Sequence, residues 1–174
     1  MINKKLEDAI NAQINAELWS AYLYLSMATN FHAKGLGGIA NWFEIQFKEE
    51  QDHAMIFYNY LVSRGARVEL RPIEAVKTSW ESPLEAFEDT LKHEQVVTGL
   101  INDINALAVE VKDYATQNRL TWFIDEQVEE EETAQKMIDS LRMIKDNGYA
   151  IYMFDKELAA RTYTQASPLA TNAE

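Results

Sequence analysis

One apolar row of a predicted helix is interrupted by two ionisable residues, and this feature constrains the fold more than any other. Between residues 39 and 61, the positions that share one helical face are apolar except in the middle, where Glu50 and His53 fall. Burial of a lone carboxylate is strongly unfavourable, so Glu50 needs a compensating partner in the core. The rest of the chain has to supply that partner.

Three further predicted helices carry the same kind of interruption. Glu17 lies in the apolar row of a helix over about 4–33, and Glu94 lies in the row of a helix over about 82–111. Gln127 and Glu130 interrupt the row of a helix over about 114–145. The helix that contains Glu50 and His53 covers about 39–64, a short fifth helix covers about 149–161, and residues 162–174 form a tail that we expect to be flexible. We therefore treat residues 1–161 as one domain.

The interruptions repeat with a constant spacing. From Glu17 to Glu50 is 33 residues, and from Glu94 to Gln127 is again 33 residues. Each pair consists of one carboxylate followed by a couple of polar residues at i and i+3, which face the same side of a helix. This regularity indicates two similar helical hairpins.

The predicted turns lie at the centres of these hairpins. In an antiparallel hairpin, residues equidistant from the turn lie level with each other; the polar residues of the first hairpin are centred on Gly35, and those of the second on Lys112. The loop over 66–81 spans roughly 50 Å when extended, whereas a helix of about 27 residues is roughly 40 Å long. The sequence therefore predicts an all-α four-helix bundle with a long crossover loop between helices 2 and 3.

Four carboxylates and one histidine would then meet in an apolar core, in rows that contain no Lys or Arg. Two divalent cations would neutralise the four negative charges. Oxygen ligands with a single imidazole suit iron(II), manganese(II) or zinc(II), and coordination positions left to water leave room for dioxygen. Two metals about 3.5–4 Å apart can share one carboxylate, for which we expect Glu50. A single glutamate on a helix face is usually solvated, so the prediction depends on the joint pattern.

Composition limits the partners of this 174-residue chain. It contains no cysteine, which excludes thiolate metal sites and disulfides, and its net charge of −12 disfavours nucleic acid and anionic membranes. We find no signal peptide and no membrane span in the sequence, and we expect a cytoplasmic protein. The far side of the first helix and the fifth helix are both apolar, which predicts contacts with other subunits.

Up to about residue 161 the sequence resembles the bacterial non-haem ferritins. The resemblance is carried by Glu-Glu-x-x-His at 49–53 and Glu-Gln-x-Glu-Glu at 126–130. It implies a first iron site of Glu17, Glu50 and His53, and a second of Glu50, Glu94 and Glu130, with Gln127 beside them. It also implies a third iron site, leading toward an internal cavity, formed by Glu49, Glu126 and Glu129. By the same resemblance, Tyr24 is the tyrosine next to the centre and Trp122 the neighbouring tryptophan.

Two differences separate the chain from haem-containing relatives. Bacterioferritins place a methionine haem ligand directly after the bridging glutamate, where this chain has Gln51, so we expect no haem. They also carry a second Glu-x-x-His on the fourth helix, where this chain has Gln127 and Glu130, which favours iron in transit over a permanent di-iron cofactor. Rubrerythrins need a cysteine-bound iron domain, which is absent here, and mini-ferritins usually lack the fifth helix.

The resemblance implies a ferroxidase that stores iron. Iron(II) would be oxidised by dioxygen, or by peroxide, and ferric oxyhydroxide would accumulate in a hollow homo-oligomeric shell of 24 subunits, with the fifth helices at its four-fold axes. The expected catalytic residues are Glu17, Glu50, His53, Glu94, Glu130 and Tyr24. Two other functions remain open: a di-metal oxidase that acts on an organic substrate or peroxide without storage, and a purely structural bundle without metal.

Overall fold

The computed structural model describes residues 2–170, and this part of the chain contains five helices. They are α1 (Lys4–Ala33), α2 (Gly37–Ser63), α3 (Pro83–Glu110), α4 (Tyr114–Ile144) and α5 (Gly148–Leu158). Four of them begin at a side chain that accepts a hydrogen bond from a first-turn N–H, namely Asn3, Ser82, Asp113 and Asn147. None of the five is long and apolar enough to cross a membrane. The predicted four-helix bundle with a short fifth helix is confirmed.

Tight turns join α1 to α2 and α3 to α4. Gly35 has φ +75° in the first turn, and Lys112 has φ +58° in the second. Glycine adopts this left-handed conformation readily, whereas at Lys112 it costs about 1–2 kcal/mol. Both residues are the hairpin centres that the 33-residue spacing predicts, so the polar residues of each hairpin lie level across the bundle.

The connection between α2 and α3 runs along the length of α1. Near its start, the backbone N–H of Glu69 donates to Asn11 Oδ1 at 2.8 Å, and near its end the N–H of Trp80 donates to Asn30 Oδ1 at 3.2 Å. Asn11 and Asn30 are about 28 Å apart along α1 at 1.5 Å per residue. The predicted crossover is therefore confirmed.

The buried apolar side chains form two clusters, one toward each end of the bundle. Along α1, Leu6 to Ile14 belong to one cluster and Leu23 to Phe31 to the other. The other three long helices divide in the same way, and on every helix the polar interruption falls between its two apolar segments. The core thus consists of two apolar layers that enclose a polar layer.

Helix α5 packs on the first half of α2. Asp155 Oδ1 accepts a hydrogen bond from the Ile39 N–H at 2.8 Å, and Asn41 Nδ2 donates to the carbonyl oxygen of Leu158 at 3.2 Å. The sequence predicts that this helix continues to residue 161, but it ends at Leu158. Asn41 satisfies the terminal carbonyl group in place of a further helical turn.

Residues 162–170, which the sequence predicts to be part of a flexible tail, lie against α2. The Tyr163 hydroxyl and the Ala166 N–H both donate to Asp52 Oδ2, at 2.7 and 2.8 Å. Leu169 packs against the apolar cluster that contains Ile56 and the first part of α1. Because the buried Asp52 receives two hydrogen bonds, this segment is anchored to the bundle. The remainder of the predicted tail, 171–174, falls outside the described residues.

Candidate metal centre

Three side chains at mid-bundle bring potential metal-binding atoms together. One carboxylate oxygen of Glu17, one of Glu50 and one ring nitrogen of His53 all lie within 4.8 Å of one another. Each of the three residues is at most 2% exposed. Glu50 and His53 are three residues apart on α2 and share its inner face, while Glu17 reaches them from α1. The first hairpin therefore presents a compact set of two carboxylates and an imidazole.

The second hairpin supplies two more buried carboxylates and an amide. Gln127 Nε2 donates to Glu94 Oε2 at 3.2 Å, which links α4 to α3. Gln46 Nε2 on α2 donates to Glu130 Oε2 at 2.9 Å, which links the two hairpins. Glu94 and Glu130 lie outside the compact group of three residues but close enough to Glu50 for their charges to interact. The polar layer thus draws on all four long helices.

Burial shifts the protonation of these carboxyl groups. Burial raises the pKa of Glu17, Glu50 and Glu130 well above the usual range, and repulsion from neighbouring carboxylates raises it further. For Glu50 and Glu130 the strongest repulsion comes from Glu94. Without a cation, the fully ionised cluster is electrostatically unfavourable.

Two buried oxygens of the cluster have no donor while the carboxyl groups are ionised. No donor among the described residues reaches Glu17 Oε2 or Glu50 Oε2 in that state, and the two carboxyl groups can hydrogen-bond to each other only when one of them is protonated. His53 Nδ1 lies 3.4 Å from Glu50 Oε2, but the contact lacks hydrogen-bond geometry and is an electrostatic contact only. A buried polar atom without a partner costs about 1–3 kcal/mol. A divalent cation bound to both oxygens would remove this cost, so the residues present fit a metal ion.

Two aromatic side chains border the cluster. The Tyr24 hydroxyl donates a hydrogen bond to Glu94 Oε1, and the ring is fully buried. Burial, followed by the charge of Glu94, raises the pKa of Tyr24 well above its usual value, so the phenol stays neutral. On the other side, the Trp122 ring meets the His53 ring edge-on, with the ring centroids 5.5 Å apart. Tyr24 can therefore donate a proton to Glu94 through this hydrogen bond, and Trp122 restricts the orientation of the His53 ring.

The three glutamates implied as a third site lie toward the surface and differ in exposure. Glu49 and Glu126 are half-buried, whereas Glu129 is exposed. Burial raises the pKa of both Glu49 and Glu126; Arg161 opposes the shift at Glu49, and the ring of His53 opposes it at both. Glu49 Oε2 already accepts a hydrogen bond from Arg161 Nη2 at 2.7 Å.

Four residues that hydrogen-bond to predicted metal ligands have no role in the sequence-based prediction. Gln13 Nε2 donates to Glu17 Oε1 at 2.9 Å, and the others are Gln46, Thr98 beside Gln127, and Arg161. The sequence contains a signal for two of them. Gln13 and Gln46 each precede a carboxylate of the cluster by four residues, and they are 33 residues apart, which is the spacing of the cluster residues themselves. For Thr98 and Arg161 we see no comparable sequence signal.

Comparisons with known proteins agree with one another. The family model described as "Ferritin-like domain" matches residues 7–144. The bacterial non-heme ferritin of Bacteroides fragilis (strain 638R) is 42% identical over 161 residues, covering 92% of this chain and all of that protein. The bacterial non-heme ferritin of Staphylococcus aureus (strain USA300) is 42% identical over 165 residues, covering 95% and 99%. Among solved structures, an open pore ferritin from the archaeon Archaeoglobus fulgidus superimposes with a TM-score of 0.92 at 44% identity, over 93% of this chain and 100% of its own.

Proposed function

The chain belongs to the ferritin family, and on this basis we propose that it stores iron after oxidising iron(II) with dioxygen at a dinuclear site. The observation that carries the proposal is the buried layer of carboxylates around Glu17, Glu50 and His53, in which two buried oxygens have no donor while the carboxyl groups are ionised. Iron is here the substrate and the cargo. Membership of the family supports storage, and the chemistry of the cluster supports oxidation.

We assign two adjacent iron positions to the cluster. Glu17, Glu50 and His53 would hold the first iron, and Glu50, Glu94 and Glu130 the second, so Glu50 is shared. Two iron(II) ions balance the four carboxylate charges. Since burial raises the pKa of Glu17, Glu50 and Glu130, binding of iron(II) displaces protons from these groups.

The carboxylates also favour the oxidation step. Anionic oxygen ligands stabilise iron(III) more than iron(II), because the more highly charged ion gains more from them. A pair of iron(II) ions gives two electrons to dioxygen, which with two protons becomes hydrogen peroxide. Tyr24 and an iron(II) ion at a third position can each add one further electron, so that dioxygen with four protons becomes two water molecules; the phenolic proton of Tyr24 passes to Glu94 along their hydrogen bond. The neutral state of the Tyr24 phenol makes the proton available.

Oxidised iron then has to leave the pair. We propose that Glu49, Glu126 and Glu129 form a third iron position, through which iron moves toward the store. Their lower burial relative to Glu50 supports a transfer role. Changing these three residues to Ala should alter the iron consumed per dioxygen while the first two positions still fill. Loss of binding at those two positions would contradict a separate third site.

Storage requires an enclosed space, which one bundle does not provide. We propose a homo-oligomeric shell of 24 subunits with the apolar surface of α5 in its contacts. Support comes from Tyr149, Tyr152 and Met153, which are 74%, 54% and 48% exposed in the single chain. Tyr149 and Met153 border a groove of about 660 Å³ between α4 and α5. Covering such a surface would yield about 25 cal/mol for each Å² removed from water.

Iron loading followed by separation by size tests the function as a whole. After aerobic addition of many iron(II) ions per subunit, iron should elute with the protein at the size of a large assembly. Native mass spectrometry of the full chain and of a version that ends at Gly148 should show that the assembly depends on α5. A stable monomer that keeps oxidised iron in solution would contradict storage in a shell, and absence of any metal dependence would favour a structural bundle.

A further inference from the structure

Arg161, three residues beyond the end of α5, already binds one of the glutamates assigned to the third iron position. Its Nη2 donates to Glu49 Oε2 at 2.7 Å, and its Nη1 donates to the carbonyl oxygen of Trp42 at 3.2 Å. The guanidinium also lies over the Trp42 ring, 4.8 Å from the centroid. The side chains of Arg161 and Glu49 are only 26% and 22% exposed. The pair is therefore better shielded from water than an ordinary surface ion pair.

The position of Arg161 follows from the way α5 is fixed on α2. Asn41 Nδ2 donates to the carbonyl oxygens of both Leu158 and Arg161, at 3.2 and 3.0 Å. One turn earlier in α5, Asp155 Oδ1 binds the N–H of Ile39 at 2.8 Å. These contacts hold the backbone of Arg161 in place, and its guanidinium therefore lies beside α2.

The residues after Arg161 continue along the same side of α2. Glu49 and Asp52 are three residues apart on that helix and share a face. Tyr163 and Ala166 both donate to Asp52. Residues 161–166 thus form a strap along α2, with one anchor at Glu49 and another at Asp52.

An iron ion at the third position would meet a fixed positive charge. Glu49 and Glu126 are close enough for their charges to interact, since the charge of Glu126 raises the pKa of Glu49. Arg161 occupies Glu49 Oε2, and a guanidinium so near a bound cation repels it. Building on the proposed function, we propose that Arg161 and iron compete for Glu49, so that the strap sets the affinity of the third iron position.

Competition makes the movement of iron conditional on a side-chain rearrangement. Iron can take both oxygens of Glu49 only after the Nη2 hydrogen bond is released. The guanidinium can retain the Trp42 carbonyl and ring contacts during this step, and the strap remains attached through Asp52. Arg161 is therefore a positioning residue that does not need to touch iron.

Anaerobic titration with iron(II), monitored by isothermal titration calorimetry, measures the affinity of each class of iron(II) sites in the full-length assembled protein and so tests the competition. Arg161→Gln removes the charge, and the weakest class of iron(II) sites should bind roughly three- to tenfold more tightly, with the two tighter classes unchanged. Arg161→Lys keeps the charge but not the planar fork, so it should tighten this class less. Arg142→Gln is the matched control, because Arg142 Nη2 pairs with Glu88 Oε1 at 2.8 Å on an exposed face. It should bind iron(II) as the unmodified chain does.

Adding Glu49→Gln to Arg161→Gln should abolish the gain, since the carboxylate under competition is then absent. Native mass spectrometry of each variant verifies assembly, and Arg161→Lys serves if Arg161→Gln fails to assemble. A weakest class that is unchanged or weaker in the assembled Arg161 variants would overturn the competition while leaving iron oxidation intact. An unmodified chain that neither binds nor oxidises iron would instead contradict the proposed function itself.

Discussion

Gly38 on α2 and Asp155 on α5 approach so closely that a Cβ atom on Gly38 would lie 1.6 Å from the Asp155 carbonyl oxygen. The same Cβ would lie 2.9 Å from the backbone nitrogen of Ala159. Both of these neighbours are backbone atoms, which cannot rotate away as a side chain can. The contact between the two helices therefore requires glycine at position 38 for its lack of a side chain.

Gly38→Ala should displace α5 and lower the thermal stability. We expect a loss of about 1–3 kcal/mol, the usual cost of an overpacked contact. Gly99→Ala is the matched control, because Gly99 lies inside α3 with open space around its Cβ position. It should raise stability by about 0.5–1 kcal/mol through helix propensity. Thermal unfolding of the two variants side by side decides, and equal stability would contradict the tight docking of α5.

The metal-free protein should become less stable as the pH rises above about 4.5. The pKa values of Glu17, Glu50 and Glu130 are raised by folding, so the folded chain retains protons that the unfolded chain releases. The contribution of these three groups to stability is then highest below the unfolded-state pKa near 4.5 and falls as the pH approaches the folded-state pKa. Thermal unfolding between pH 5 and 8 measures the slope.

A control variant isolates the contribution of the cluster to this slope. Glu50→Gln removes one buried titrating group and the repulsion that it exerts, so its stability should vary less with pH. Saturating zinc(II) should also reduce the dependence, because a bound cation keeps the carboxylates ionised in the folded state. If stability varies with pH equally in the metal-free chain, in Glu50→Gln and in the zinc(II)-saturated chain, the carboxyl groups of the cluster do not retain protons as predicted.

Tyr24→Phe should leave iron(II) binding intact and change the product of oxygen reduction. The variant loses the hydroxyl that donates to Glu94 but no proposed iron ligand. Without the additional electron, more dioxygen should leave as hydrogen peroxide, which a peroxide assay measures per iron oxidised. Tyr60→Phe is the control, since its buried hydroxyl contacts Thr116, two helical turns beyond His53. An unchanged peroxide yield in Tyr24→Phe would contradict the proposal that Tyr24 supplies an electron to dioxygen.

The sequence predicts the four long helices closely because their signals are local. Apolar periodicity and capping residues place each helix end within about two residues, and the glycines at 35–38 mark the first turn. The end of α5 and the course of residues 162–170 depend on Asn41 and Asp52 of another helix. Interactions of this kind between distant segments leave no periodic pattern, so local reasoning extends α5 by three residues and leaves the tail free.

The candidate site divides in the same way. Five site residues can be recognised in the sequence because burial of an ionisable side chain in an apolar row is unfavourable unless it has a partner. They are Glu17, Glu50, His53, Glu94 and Glu130. The pair of Arg161 with Glu49 joins residues 112 positions apart, and both types are common at surfaces. Only the folded arrangement brings that arginine to a predicted iron ligand.

Stopped-flow oxidation of iron(II) by dioxygen tests the central claim most directly. With iron(II) preloaded without oxygen, the amplitude of the fast phase should rise up to two irons per subunit and then level off. Glu50→Ala removes the ligand that both irons share, so the fast phase should disappear while circular dichroism still reports a folded bundle. A fast phase that survives in Glu50→Ala at the unmodified rate would contradict oxidation at a site built around Glu50.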